Sequence, residues 1–125
     1  MTKLNEIYRC DVCGNVVSVV GKGAGELVCC GKPMNLLQEK TDDQGMEKHV
    51  PVIERIESGT RVKIGSAEHP MQDDHYIEWI EVMSEGRNQR VFLKPGNRPE
   101  AEFGKMPGNA RARTFCNIHG LWKSK

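Results

Sequence analysis

With 125 residues and a formal net charge of +1, the chain has no global excess of either sign, so composition gives no reason to place it on nucleic acid or a membrane surface. It is 38% hydrophobic and 28% charged, as a folded globular protein is, and no window approaches the ~18 uninterrupted apolar residues of a spanning helix. The opening residues lack an apolar signal core, so the expectation is a cytoplasmic protein.

Thirteen glycines and six prolines with only 6% aromatics point to a turn-rich β protein. Along the chain, Ile7-Tyr8-Arg9 leads into Cys10, and residues 16–20 (Val-Val-Ser-Val-Val) read as a strand. A Gly-rich turn at 21–25 follows, Glu26-Leu27-Val28 returns, and Cys29-Cys30-Gly31 closes a first unit. About thirty residues bury little core, so a metal would be the expected source of stability. Residues 38–45 read as a linker, which gives a first domain over 1–37 and a second over 38–125.

The second domain shows short strands between turn signals, the pattern of a sandwich or barrel. Candidate strands are 50–56, with Pro51 marking an edge or a strand start, and Thr60 to Ile64. The strongest runs from His75 to Val82, with Ile77 and Trp79 on the face of His75. Residues 90–93 precede a turn at Lys94-Pro95-Gly96-Asn97, and 112–115 lead into a loop at Cys116. No helix and no internal repeat is evident.

The chain has five cysteines and four histidines. In a reducing compartment, clustered cysteines are better read as metal ligands than as disulfides. Cys10-x-x-Cys13 with Cys29-Cys30 supplies four thiolates to one metal. Spacing alone leaves open a zinc knuckle that only holds the unit together, and a distorted iron site that passes single electrons. The fifth cysteine, Cys116, stands three residues before a histidine, in Cys116-Asn117-Ile118-His119. Singly, each of His49, His69, His75 and His119 has the ordinary reading of a surface or hydrogen-bonded histidine. Together they all fall at strand ends or on loops, where a β scaffold presents ligands at one rim. Four imidazoles and a thiolate leave a sixth position open, which suits iron better than zinc. A blue-copper site is disfavoured because no methionine follows His119.

Taken in order, several segments resemble the desulfoferrodoxin family, the two-iron superoxide reductases. They are Tyr8-Arg9-Cys10-Asp11-Val12-Cys13-Gly14-Asn15, Glu26-Leu27-Val28-Cys29-Cys30-Gly31, Glu47-Lys48-His49-Val50-Pro51-Val52-Ile53-Glu54, His69-Pro70-Met71, His75-Tyr76-Ile77-Glu78-Trp79-Ile80, Phe92-Leu93-Lys94-Pro95-Gly96 and Phe115-Cys116-Asn117-Ile118-His119-Gly120. The resemblance implies an all-β chain: a small desulforedoxin-like, metal-bound N-terminal domain followed by an immunoglobulin-like β-sandwich or barrel. It implies two irons, one on Cys10, Cys13, Cys29 and Cys30, the other on equatorial His49, His69, His75 and His119 with axial Cys116. It further implies one-electron reduction of superoxide to hydrogen peroxide, electrons from a rubredoxin-like donor, and a homodimer.

The chemistry of the residues agrees with these implications. An axial thiolate donates electron density to iron and favours release of peroxide with its O–O bond intact. Lys48 would draw in a small anion and hold the water that delivers a proton, and Glu47 would supply a carboxylate to the vacated position. Without the resemblance, Glu47 and Lys48 read as an ordinary charged loop. Residues 101–110 depart from the family pattern. They are poor in β-branched side chains, and a short or irregular strand is expected there. Competing readings are an electron carrier with a closed site and a zinc-held interaction module.

Overall fold

The structure, a computed structural model, describes residues 1–42, 49–65, 67 and 69–124. The chain forms two compact units, Met1–Gln38 and Glu39–Lys125. Every regular element among the described residues is a strand.

In the first unit, β1 (Ile7–Arg9) pairs antiparallel with β2 (Val16–Ser18) on one side. A two-stranded hairpin follows, β3 (Val28–Cys29) and β4 (Lys32–Pro33), and β5 (Asn35–Leu36) returns to the other side of β1. The expected strand at residues 16–20 stops at Ser18. The Val19 amide bonds the Glu6 carbonyl at 2.9 Å, and Val20 is exposed. The expected returning strand at 26–28 is likewise shifted, to Val28–Cys29. Among the described residues of this unit, Ile7, Cys10 and Val19 are the buried hydrophobics, while Val12, Val17, Val28 and Leu36 lie exposed. So thin a core leaves most of the stabilisation to whatever ties the four cysteines together.

The second unit is a β-sandwich. One sheet has β6 (Pro51–Ile56) and β7 (Gly59–Ile64) as a hairpin. The other is built on β8 (Ile77–Ser84) and β9 (Arg87–Phe92). The strand β10 (Glu100–Phe103) joins β7 in the first sheet, and β11 (Arg111–Cys116) and β12 (Gly120–Lys123) extend the second, giving orders β10-β7-β6 and β12-β11-β8-β9. Between them lies a core of Val62, Ile64, Ile77, Ile80, Val82, Ala101, Phe103, Met106, Ala112 and Cys116. Cys116 is a wall of the core as well as a candidate ligand.

Three local expectations need correction and one, at residues 101–110, holds. Residues 101–110 do hold only a short strand, as expected: β10 ends at Phe103, and it pairs with β7 because Ala101 and Phe103 alternate inward from Glu100 and Glu102. Gly59, which opens β7 beside the end of β10 at φ +148, admits no side chain, since a Cβ there would lie 2.4 Å from the Phe103 carbonyl oxygen. The strand expected from His75 begins at Ile77, and Ile77 and Trp79 do not share a face. Ile77 joins Ile80 and Val82 in the core, whereas Trp79 stacks on Phe115 at 6.0 Å. The cause is a β-bulge: Phe115 pairs with Trp79 but Cys116 pairs with Ile77, so the register skips Glu78. Lastly, the linker expected over 38–45 is partly structured, since the Lys40 amide bonds the Leu121 carbonyl at 3.0 Å and its carbonyl accepts from the Lys123 amide at 2.9 Å.

A row of charges crosses the second sheet. Arg90, Glu81, Arg113 and Lys123 are successive cross-strand partners on β9, β8, β11 and β12. Glu81 and Arg113 are both almost fully buried, and two guanidinium nitrogens donate to one Glu81 oxygen at 2.8 and 2.6 Å. Arg90 donates to the other oxygen while lying over the Trp79 ring, and Glu39 accepts from Arg113 at 3.1 Å. Paired this completely, the buried charges are tolerated, and they fix the register of the strand that ends at Cys116.

Candidate metal centres

The first group of ligand atoms is Cys10, Cys13, Cys29 and Cys30, all within 4.8 Å of one another. Cys10 follows β1 directly, and its turn is closed by Gly14, at φ +84, whose amide bonds the Cys10 carbonyl at 2.9 Å. That turn aims the Cys13 amide at the Cys10 sulfur, 3.5 Å away. Cys29 and Cys30 reach the group by another route. Cys29 ends β3, and Cys30-Gly31 is the two-residue loop of the hairpin, with φ of +53 and +73. Left-handed backbone at both central positions is the type I′ turn, where Asn-Gly is the usual occupant. A cysteine at the first position pays a steric penalty that asparagine pays less of, and bonding its sulfur to a metal would offset it.

The sulfurs fit a metal. A tetrahedron with bonds near 2.3 Å places its sulfurs about 3.8 Å apart, and here Cys13 and Cys29 are separated by 3.6 Å and Cys29 and Cys30 by 4.0 Å. Protonation supports the same reading. The Cys13 amide is the main cause that lowers the Cys10 thiol to about 6. Its neighbours Cys13 and Cys10 raise Cys29, and the same neighbours raise Cys30 to about 12. The group ionises one thiol readily and resists further charge, and a cation removes that resistance.

The second group is His49, His69, His75, Cys116 and His119, again within 4.8 Å of one another. His49 directly precedes β6, His69 and His75 lie between β7 and β8, Cys116 ends β11, and His119 sits in the turn to β12. His69, His49 and Cys116 are buried, at 2%, 2% and 0% exposure, and His75 and His119 are half-buried. The four rings form a closed square. Successive centroids are 4.5 Å apart for His49–His69, 4.9 Å for His69–His75, 5.1 Å for His75–His119 and 4.8 Å for His119–His49, each pair steeply inclined.

Local contacts orient these ligands. His69 Nδ1 is 2.7 Å from the Pro70 carbonyl, which can only accept, so Nδ1 carries the proton and Nε2 keeps its lone pair. That Nε2 lies 2.9 Å from His49 Nε2 and 3.6 Å from Cys116 Sγ. Two imidazole nitrogens on adjacent corners of one metal would be about 3.0 Å apart, so the His49–His69 spacing fits a shared cation. Cys116 Sγ is 3.9 Å from His119 Nδ1 and accepts from the His119 amide at 3.5 Å. Tautomer and spacing therefore make the donor set suitable for one metal bound by nitrogen and sulfur.

Asn117 went unnoticed in the sequence, yet it fastens two ligand segments together. Its Oδ1 accepts from the Tyr76 amide at 2.9 Å and its Nδ2 donates to the Asp74 carbonyl at 3.1 Å, which bracket His75. An asparagine in a Gly-terminated loop was the available signal. Glu47 and Lys48 lie outside the described residues.

Two family models match the chain: "Desulfoferrodoxin, N-terminal domain" over residues 2–37 and "Desulfoferrodoxin" over residues 41–125. The chain belongs to the desulfoferrodoxin family. It is 56% identical over 124 residues to a desulfoferrodoxin homolog of Archaeoglobus fulgidus, covering 99% of each chain. To a desulfoferrodoxin of Syntrophotalea carbinolica it is 53% identical, covering 100% of this chain and 99% of the other. Among solved structures it resembles the superoxide reductase from Treponema pallidum, with a TM-score of 0.78 and 27% identity over 96% of this chain and 97% of that one. The fold is thus that of a desulfoferrodoxin: all-β, with a small desulforedoxin-like N-terminal unit and an immunoglobulin-like sandwich. Among the described residues no helix is long and apolar enough to cross a membrane.

Proposed function

We propose that this desulfoferrodoxin is a superoxide reductase, which adds one electron and two protons to superoxide to give hydrogen peroxide. The observation that carries the reading is the square of His49, His69, His75 and His119 beside the buried Cys116 sulfur. Kinship with proteins named superoxide reductase supports it.

His49, His69, His75, His119 and Cys116 would hold a single iron, whose contribution when bound would be reversible one-electron chemistry. The protein's part is to orient and tune. Pro70 fixes the tautomer of His69, and the His119 amide tempers the charge on Cys116. Burial of Cys116 protects the thiol from oxidation by the product. Lys48, adjacent in sequence to His49, is assigned the positive charge that attracts superoxide and positions a proton-donating water. Glu47, next to Lys48 in sequence, is assigned a carboxylate that would be available as a further ligand to that iron.

Residues 1–37 are assigned as a desulforedoxin-like domain with a second iron on Cys10, Cys13, Cys29 and Cys30, and residues 38–125 as the reducing domain. A rubredoxin-like donor, a homodimer and a cytoplasmic setting complete the proposal. Metal analysis combined with azide titration of the oxidised protein tests it. Iron in both sites and a spectral change on adding azide are expected. Zinc in both sites, or iron that ignores azide, would replace the enzyme with an interaction module or an electron carrier.

A further inference from the structure

Four of the five candidate ligands at the second centre have a positioning contact described above: His69 through Pro70, His75 through Asn117, and Cys116 and His119 through the loop they share. His49 and His119 are in addition joined by a residue outside the ligand set. The indole of Trp122 stacks on the His49 ring, with centroids 4.6 Å apart and planes within 12°. Its Nε1 donates to the His119 carbonyl at 3.2 Å. One buried side chain thus contacts two neighbouring corners of the imidazole square.

Lys40 closes this arrangement from outside. Its backbone is pinned to β12 on either side of Trp122, through the Leu121 carbonyl and the Lys123 amide. Its ammonium donates to the same His119 carbonyl at 3.0 Å and lies 5.2 Å from the centre of the indole ring. The carbonyl therefore receives two donors, and the same indole meets both the Lys40 ammonium and the His49 ring. A stacked pair of planes resists ring rotation in a way a hydrophobic contact does not, and a carbonyl with two donors resists peptide tilting.

We propose that Trp122, clasped by Lys40, is the positioning residue that fixes the ring plane of His49 and the backbone of His119, and thereby sets the electronic character of the second centre. The inference rests on the assignment of that centre as an iron site held by the histidine square and Cys116. Neither residue touches the substrate. Each acts through a ligand.

Electron paramagnetic resonance and absorption spectra of the oxidised full-length protein, with iron content measured for every sample, test this. Trp122→Leu should keep its iron but change the rhombicity of the signal and shift the sulfur-to-iron band of the second centre, while the signal of the four-cysteine iron stays constant. Trp122→Phe keeps a stacking ring and loses the indole donor, so its shift should be smaller. Lys40→Met removes a positive charge and should lower the midpoint potential of the second centre alone.

Should Trp122→Leu lose iron, Trp122→Phe and Lys40→Met decide the matter by the same readouts. Unchanged spectra and potential at full iron content, even with a lower Tm, would overturn the proposal and leave Trp122 an ordinary core residue. Cys116→Ser serves as the reference. If it leaves the sulfur-to-iron band in place, the assignment of the centre fails. If it removes the band while Trp122 and Lys40 variants change nothing, only the positioning role fails.

Discussion

The backbone amide of His119 donates to the sulfur of Cys116 at 3.5 Å, three residues along the same loop. The amide of Cys13 meets the sulfur of Cys10 in the same way and at the same distance. Both candidate centres therefore start from one device, a tight turn that aims a backbone amide at a cysteine sulfur. The difference lies in the surroundings, since Cys116 is fully buried in a sandwich core while Cys13 and Cys30 face solvent.

Cys116→Ser should remove the soft thiolate donor without unfolding the sandwich. Superoxide reduction is expected to fall by at least about 100-fold, more than the usual effect of an outer-shell contact, with the four-cysteine iron retained. Cys13→Ser should do the reverse, losing the first iron and sparing most of the activity. Rapid-mixing kinetics with iron counts checks both, and equal silence of the two variants would end this division of labour.

Lys48→Ile should slow the second-order reaction with superoxide and flatten its dependence on ionic strength, because an exposed cation steers a small anion only as far as salt permits. Pulse radiolysis at low and high salt measures it. An unchanged rate would return Lys48 to an ordinary surface charge.

Asn117→Ala removes two hydrogen bonds that tie the Cys116 loop to the segment carrying His75. A loss of about 1–3 kcal/mol in stability is expected, seen as a lower Tm. Activity should fall with it, since His75 is no longer held against His119. Full activity at normal Tm would show that the two loops hold themselves.

The four-cysteine centre should bind its metal more weakly as pH falls from about 9 to about 7. Cys29 is raised by its sulfur neighbours and Cys30 is pushed up to about 12, so both must release protons to bind, whereas Cys10, near 6, is already ionised. Protons therefore compete with the metal chiefly at the Cys29–Cys30 side. Chelator competition across that range measures the slope, and a flat profile would contradict it.

Arg113→Met leaves buried Glu81 with only Arg90, and a loss of about 3–5 kcal/mol follows from stripping a partner from a buried charge. Replacing Glu81 as well, as Glu81→Leu, should recover part of that loss. Denaturant unfolding of the single and double variants tests it.

Much of this was legible in the sequence, and the reasons differ by residue. Cys10-x-x-Cys13 is a local signal, because its turn lies between the two ligands. His49 and Cys116 are far apart in the chain, and only counting ligand types joined them. The strand β10 was expected to be short or irregular, and its bounds were not legible because Ala101 and Phe103 alternate correctly but carry no β-branched character. The face of Trp79 was misread because a β-bulge at Glu78 leaves no mark in an alternating pattern. The type I′ loop at Cys30-Gly31 was visible as X-Gly between short strands, but a cysteine obscured its usual Asn-Gly form. Trp122 and Lys40 could not be read at all, because their contact depends on the linker returning to lie along β12.

The most direct test of the central claim is the yield of peroxide from a known quantity of superoxide, measured with the reduced protein and a continuous supply of electrons. Reduction gives one peroxide for each superoxide consumed. A yield of one peroxide for every two would mean dismutation, and no consumption above the uncatalysed rate would mean that the centre does not act on superoxide.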